Sequence, residues 1–548
     1  MKTIKLIGIV ASLVFGLVAC SGGSGGSSQP PPPPPPPDPI TKAEAFQFLN
    51  QTTFGATRAE AQRVMDLGFE AWIDDQLGRP ASLQLPYLQS LPRPQFLFEL
   101  QPDRVDVWFK NALHGGDQLR QRVAFALSEI MVVSQLGVLG DLTYSLADYY
   151  DVLARNAFGN FRDLIERVTL HPAMGMYLSM LGNEKPNPVL NIRPDENYAR
   201  ELMQLFSIGL VELNLDGTQK LDAQNQPIPT YDQSTIEGFA HVFTGWTFAG
   251  AANFRQAFPN DANQVIPMQL YPTFHDGGSK ALLGGVVIPA GQTGDQDLAD
   301  ALDNIFDHAN VGPFIAIRLI QRLVTSNPSP GYVARVARVF NNNGSGVRGD
   351  LGAVVKAILL DVEARPDLRI DIDGKIKEPL LRLTQLWKAY DATSASGRYP
   401  INFAFVVFGQ GPLQSPSVFN FFSPFYAPPG EIRNGGLVAP ELAIATEYQN
   451  TFVTNYVFYQ TFVWNQANAA NLQPDEVYID FAEEMQVASD IDALINMVDD
   501  KLLAGQMSET LRTEISGMLE RTSETDTALR AAETIYLVVT SPEFAFQR

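Results

Sequence analysis

From Ile40 onward the apolar residues recur at three- and four-residue intervals, as they do in helices that bury one face. Leu351, Val354, Val355, Ile358 and Leu359 form the clearest stripe. Amphipathic stretches of this kind cover about 117–134, 144–158, 160–170, 195–208, 233–244, 296–308 and 312–325. Others cover about 330–341, 350–363, 377–390, 438–464, 490–504, 509–522 and 525–539. Thr41-Lys42-Ala43-Glu44 and Thr57-Arg58-Ala59-Glu60 both read as capping boxes, and Gly68 stands where a helix end needs left-handed backbone. Strand signals shrink to a short one at Gly285–Ile288 and an ambiguous one at Asn402–Phe408. The expected fold is all-α, predominantly helical, with at most a few short strands. Long irregular loops are expected near 182–194, 214–231 and 247–293.

The first forty residues follow a different pattern. Lys2 and Lys5 precede an uncharged apolar or small stretch, Leu6–Ala19, which is too short to span a bilayer and suits a signal-peptide core. It ends in Leu17-Val18-Ala19-Cys20, which resembles a bacterial lipobox. By that resemblance residues 1–19 are a lipoprotein signal peptide and Cys20 is the lipidated first residue of the mature chain. A Ser/Gly run and eight prolines, Pro30–Pro37, make 20–39 a linker. In polyproline II those eight residues extend about 25 Å, enough to hold a body clear of a lipid surface. The expected address is the cell envelope, at the outer membrane where the cell has one.

Residues 40–430 read as the main helical domain and 431–548 as an acidic helical C-terminal subdomain. Residues 475–548 alone hold 16 Asp and Glu against 5 Lys and Arg. Across the chain 60 acidic residues outweigh 39 basic ones, a net charge of -21, so no nucleic-acid partner is expected. One Cys and five His exclude zinc ribbons and Cys-held iron–sulfur centres.

The candidate chemistry is correspondingly narrow. His275-Asp276-Gly277-Gly278 lies in a long loop, where an imidazole titrating near neutral pH adjoins a carboxylate and a glycine-permitted turn. His275 and Asp276 are the expected catalytic pair, although a loop-stabilising His beside a turn-forming Asp has the same letters. Glu237 and His241 stand one helical turn apart. They suit a divalent metal if the His275 loop folds back over them, or a plain His–Glu hydrogen bond if it does not. Glu196, Arg200 and Glu201 share a helix whose buried stripe is Tyr198, Leu202, Leu205 and Phe206. They offer either a binding site or a helix-face ion pair. Asp216, Asp222 and Asn225 lie in a segment that starts like a calcium loop but lacks its final Glu. Gly344–Gly349 has dinucleotide-motif spacing without the strand that motif needs, and reads as a helix-to-helix turn. Phe419, Phe421, Phe422, Phe425 and Tyr426 form a ligand-stacking wall or a core plug. The plug is favoured because only the Tyr carries a polar group.

Several segments carry a further resemblance: Phe48–Gly55, Asn197–Met203, Phe243–Trp246, Phe274–Asp276 with Lys280 and Leu283–Gly285, Leu323–Pro328, and Gln414–Asn420. In this order they resemble a bacterial family, domain of unknown function 1800, over about Ile40–Arg548. The resemblance implies export and frequent gene neighbourhood with domain of unknown function 1501, itself similar to alkaline phosphatases and sulfatases. It implies no activity and no catalytic residues. The function expected is a lipid-anchored envelope protein that binds an exported partner, with such a neighbour as candidate. The alternative is a metal-dependent or acid/base hydrolase acting on an envelope or extracellular polymer.

Overall fold

The capping signals lie at the helix starts of the structure, a computed structural model that describes residues 39–365, 374–401 and 404–547. Thr41 and Glu44 cap the helix Lys42–Thr52 reciprocally. Thr57 caps Arg58–Leu67 in one direction only: its hydroxyl accepts from Glu60 N at 3.2 Å, while Glu60 turns to Trp72 Nε1 at 2.5 Å and to Arg63 at 3.1 Å. The buried indole N–H needs an acceptor, and it takes the carboxylate that the second half of the box would use. Gly68, at φ 85°, ends this helix and opens the next, Phe69–Leu77.

The chain is predominantly helical, 53% by residue, and its only sheets among the described residues are three antiparallel two-stranded pairs. Helices Thr143–Asn156, Gly294–Asp307, Val311–Leu323, Pro330–Asn341, Ile491–Leu502 and Thr527–Thr540 fall on their expected stretches. The stretch 438–464 divides into a 3-10 turn, Pro440–Ile444, and the helix Glu447–Phe462, because Thr446 caps the second piece. In the ambiguous segment, Ala404–Phe408 is a short helix rather than a strand. The loop at 214–231 is folded into a narrow ribbon by bridges Val211–Pro229, Leu213–Gln219 and Leu221–Pro227.

Residues 40–548 form a single unit whose main hydrophobic core runs from Ala45 to Phe544, with a smaller cluster around Leu88, Leu97 and Tyr144. The acidic C-terminal segment adds Leu494, Ile495, Ile535 and Val538 to that core, while Glu509, Glu514, Glu520 and Glu524 face water. Its last strand, Phe546–Gln547, pairs with Lys375–Ile376. That pairing ties the C-terminus to the centre of the molecule. Cys20, and residues 1–38 on which the expected signal peptide and most of the expected linker fall, lie outside the described residues. Among the described residues no helix is long and apolar enough to cross a membrane.

Candidate functional site

One glycine sets the position of the His275 loop. A Cβ on Gly238, in helix Gln233–Val242, would lie 1.8 Å from the Ala281 carbonyl oxygen. Only a hydrogen there lets the strand Lys280–Ala281 lie against that helix. The loop therefore does fold back over His241, whose Nδ1 makes a short contact with Asp276 Oδ2. Asp276 Oδ1 accepts from Gly278 N at 2.7 Å, and its own N–H donates to Thr244 Oγ1 at 2.9 Å. Burial pushes the Asp276 carboxyl up, but the Gly278 amide and His241 outweigh it and hold it below the usual range.

His275 faces the other way. Its Nε2 lies 3.0 Å from Asp297 Oδ2, and its Nδ1 2.9 Å from the Thr244 carbonyl. Lys280 Nζ reaches the same Asp297 oxygen at 2.6 Å and donates to the carbonyls of Asp276 and Gly278. His275, Lys280 and Asp297 are all buried. The structure thus brings His241, His275 and Asp276 into one region but aims the adjacent pair at different partners. The arrangement clamps the loop.

The other sequence candidates stay apart. Glu237 lies 3.4 Å from Gln233 Nε2 and does not join His241 and Asp276. Among the described residues no three His, Cys, Asp or Glu side chains are placed to hold a metal, so the His241/Glu237 ligand set is not assembled. Glu196 and Arg200 form a helix-face ion pair at 3.0 Å, with Gln233 bridging both Glu196 oxygens. Glu201 is buried, and burial raises its carboxyl against the pull of Arg200. Asp216 and Asp222 spend Oδ1 on turn amides: Thr218 at 3.0 Å, and Gln224 and Gln226 at 2.8 Å each. His114, His171 and His308 stand at helix boundaries, bonded to Tyr399, Ala173 N and Asn310 N.

A different cluster occupies the centre of the molecule. Glu129 ends the helix Gln118–Ser128, and Glu378 precedes the helix Pro379–Ala389. Gln410 Nε2 donates to both, at 3.0 Å to Glu129 Oε1 and 2.6 Å to Glu378 Oε2. Lys375 Nζ lies 3.1 Å from Glu378 and 3.1 Å from Glu441, and Arg322 Nε lies 3.3 Å from Glu129 Oε2. Arg122 donates to the Arg322 carbonyl at 2.6 Å. Apart from the Arg322 ion contact, Glu129 Oε2 has no hydrogen-bond partner among the described residues, and Glu129 lines a cavity of about 530 Å³. The walls are Leu205 and Ile208, the face Phe314–Arg318–Arg322 of helix Val311–Leu323, and the segment Val418–Phe425. Arg318 lies over Phe314 and Phe425, at 5.1 and 4.6 Å from the ring centroids, and Arg322 lies 4.8 Å over Phe422. The aromatic segment is therefore a cavity wall more than a plug. Phe422 is buried, but Phe419 and Phe425 remain 56% and 67% exposed.

A family model described as "Protein of unknown function (DUF1800)" matches residues 47–546. The chain belongs to this family. No curated protein and no solved structure matches it. Two of the segments that carry the DUF1800 resemblance meet at the central cluster. Leu323–Pro328 continues the Arg322 helix, and Gln414–Asn420 packs along residues 134–135 and sends Asn420 Nδ2 to Glu129 Oε1 at 3.4 Å.

The two central carboxyls are driven apart in proton affinity. Burial, then the charge of Glu378, raises Glu129 against the pull of Arg322. Burial also works against the Glu378 anion, yet Lys375, Arg322 and Arg122 together hold its carboxyl low. The two carboxyls, joined through Gln410, are thus pushed in opposite directions. Sequence reasoning missed this cluster, although a signal existed. Phe314, Arg318 and Arg322 step by four along a mostly apolar helix, and Arg122 lies seven before Glu129, which caps the end of another. Charges on a core-facing stripe are rare unless paired or functional.

Proposed function

We propose that this DUF1800 protein is a lipid-anchored protein of the cell envelope whose helical body binds a ligand in the cavity at Glu129. One observation carries the binding reading: Glu129, a buried carboxyl whose Oε2 has no partner beyond the Arg322 ion contact among the described residues, is part of the lining of a cavity of about 530 Å³. A buried polar atom left unsatisfied costs about 1–3 kcal/mol, which a ligand donor or acceptor would recover. The volume also falls in the range of small-molecule sites, about 300–1,000 Å³. The address rests on the lipobox and Cys20, with the proline run as a spacer from the outer membrane. An exported partner, with the phosphatase- or sulfatase-like family as candidate, is the expected source or recipient of the ligand. Exposed Leu210, Phe419 and Phe425 at the cavity supply an apolar rim for such a contact.

A second reading, acid/base hydrolysis of an envelope polymer, draws support from the split Glu129/Glu378 pair, since carboxyls with separated proton affinities are how acid and base roles are assigned. It moves that activity from His275 and Asp276 to Glu129. Binding is preferred because Glu378 is enclosed by Lys375 and Gln410, away from any substrate.

Filling the cavity tests the proposal. Leu205→Trp and Ile208→Trp each place an indole in the space, and thermal scans with a panel of amphiphiles follow. Ligands should raise the melting temperature of the parent protein and not that of the filled variants, since only a ligand bound to the folded state stabilises it. Equal shifts in parent and filled proteins would reject the cavity.

A further inference from the structure

We infer that the cavity takes a monocarboxylate with an apolar or aryl body, its head group held between Arg318 and Glu129. This deepens the binding reading above and rests on it. Arg318 is the first observation. Its Nη1 donates to Gln321 Oε1 at 2.8 Å, its faces carry Phe314 and Phe425, and no carboxylate pairs with it among the described residues. A guanidinium has five donors in a planar fork that matches a carboxylate edge, so a stacked Arg without an anion is an incomplete recognition unit.

Glu129 is the second. The central network already matches its cations, Arg122, Arg322 and Lys375, against carboxyls, Glu129, Glu378 and Glu441. Burial and the Glu378 charge favour the neutral form of Glu129. Its Oε2 meets only the Arg322 guanidinium, at 3.3 Å, and with Glu129 neutral the cations of the network outnumber its anions by one. A bound carboxylate supplies the charge that Arg318 lacks, beside a Glu129 that burial keeps from competing as an anion. No covalent step is involved, and the proton stays on Glu129. A phosphate monoester, which brings about two charges, is the competing head group.

The walls decide the rest of the ligand. Leu205, Ile208, Phe314 and Phe422 offer an apolar enclosure, and Phe425 and Phe419 extend it outward. A medium alkyl chain or one aromatic ring suits this surface.

Calorimetric titration of the full chain with decanoate, decanol, acetate and decyl phosphate separates the contributions. Decanoate should bind, decanol at least tenfold more weakly, and acetate without measurable heat. Arg318→Gln should weaken decanoate by tenfold or more and leave decanol unchanged, while Arg318→Lys should recover part of the loss. Melting temperatures of both variants verify folding. Equal binding of decanol and decanoate, or no effect of Arg318→Gln, would overturn the carboxylate assignment and leave the cavity reading standing. Tighter binding of decyl phosphate than of decanoate would also overturn it. Absence of binding by every probe, or binding that survives Leu205→Trp, would overturn both.

Discussion

Replacing each central carboxyl by its amide should give opposite results, because burial and the neighbouring charges favour the neutral form of Glu129 and the anion of Glu378. Glu378→Gln removes the anion that Lys375 approaches at 3.1 Å and that accepts from Gln410 at 2.6 Å, in a region where both side chains have no solvent exposure. Breaking a buried pair by deleting one partner costs about 3–5 kcal/mol, since the remaining charge stays buried. Glu441 remains beside Lys375, which places the expectation at the lower end, about 3 kcal/mol. Unfolding entropy of about 2.1 cal/mol/K per residue makes this about 3 °C in a body of roughly 500 residues. Glu129→Gln replaces a neutral acid by a neutral amide of the same shape and should cost less than about 1 kcal/mol.

The pH dependence separates the two further. Glu129 is raised in the folded state, so its stabilising contribution is complete below the unfolded value near 4.3 and declines as pH rises toward the folded value. Glu129→Gln removes that decline, and the variant should gain on the parent as pH rises. Glu378 is lowered, so its contribution is present above the unfolded value and is lost as pH falls through the folded value. The damage from Glu378→Gln should therefore be greatest at neutral pH and shrink in acid. Urea or thermal unfolding across pH reads both slopes. Equal damage from the two amides, or a Glu129→Gln difference that is flat with pH, would refute the placement of the proton.

Gly238→Ala should displace the strand Lys280–Ala281 from its helix, since the new methyl meets a carbonyl oxygen at 1.8 Å; a loss of about 1–3 kcal/mol is expected, with faster amide exchange over 275–281. His275→Ala should lower stability by about 2–3 kcal/mol by stripping Asp297 Oδ2 of a hydrogen bond, and should leave decanoate titration unchanged. A loss of binding with an unaltered melting temperature would return His275 to the functional site. Cys20→Ser should abolish labelling by an alkyne fatty acid, and equal labelling of the variant would remove the lipid anchor.

The helical fold was legible because burial, capping and periodicity agree locally along the chain. Pro330–Asn341 falls on its expected bounds, with Ser329 as cap and Val333, Val336, Ala337 and Phe340 as stripe. The start of the helix Gln101–His114 was not legible although Val105, Trp108, Phe109 and Ala112 mark its buried face, because Leu100 stands in place of a capping side chain. The candidate site was less legible. His275 and Asp276 are rare letters in a glycine-marked loop, yet adjacency in an extended segment sends neighbouring side chains to opposite sides. The central cluster joins residues from 122 to 441, and only tertiary packing brings Glu129, Gln410 and Glu378 together. Phe419 and Phe425 look like core by composition. Both stay exposed, in a segment that lines the cavity and has Asn420 at a positive φ of 66°.

Diffraction from crystals soaked separately in 4-bromobenzoate and bromobenzene tests the binding cavity most directly, because bromine is located by its anomalous signal. The cavity at Glu129 predicts a bromine peak among Leu205, Ile208, Phe314 and Phe422 with 4-bromobenzoate, and a weaker one at the same place with bromobenzene. An empty cavity in both soaks, with bromine found only at other surfaces, would contradict it.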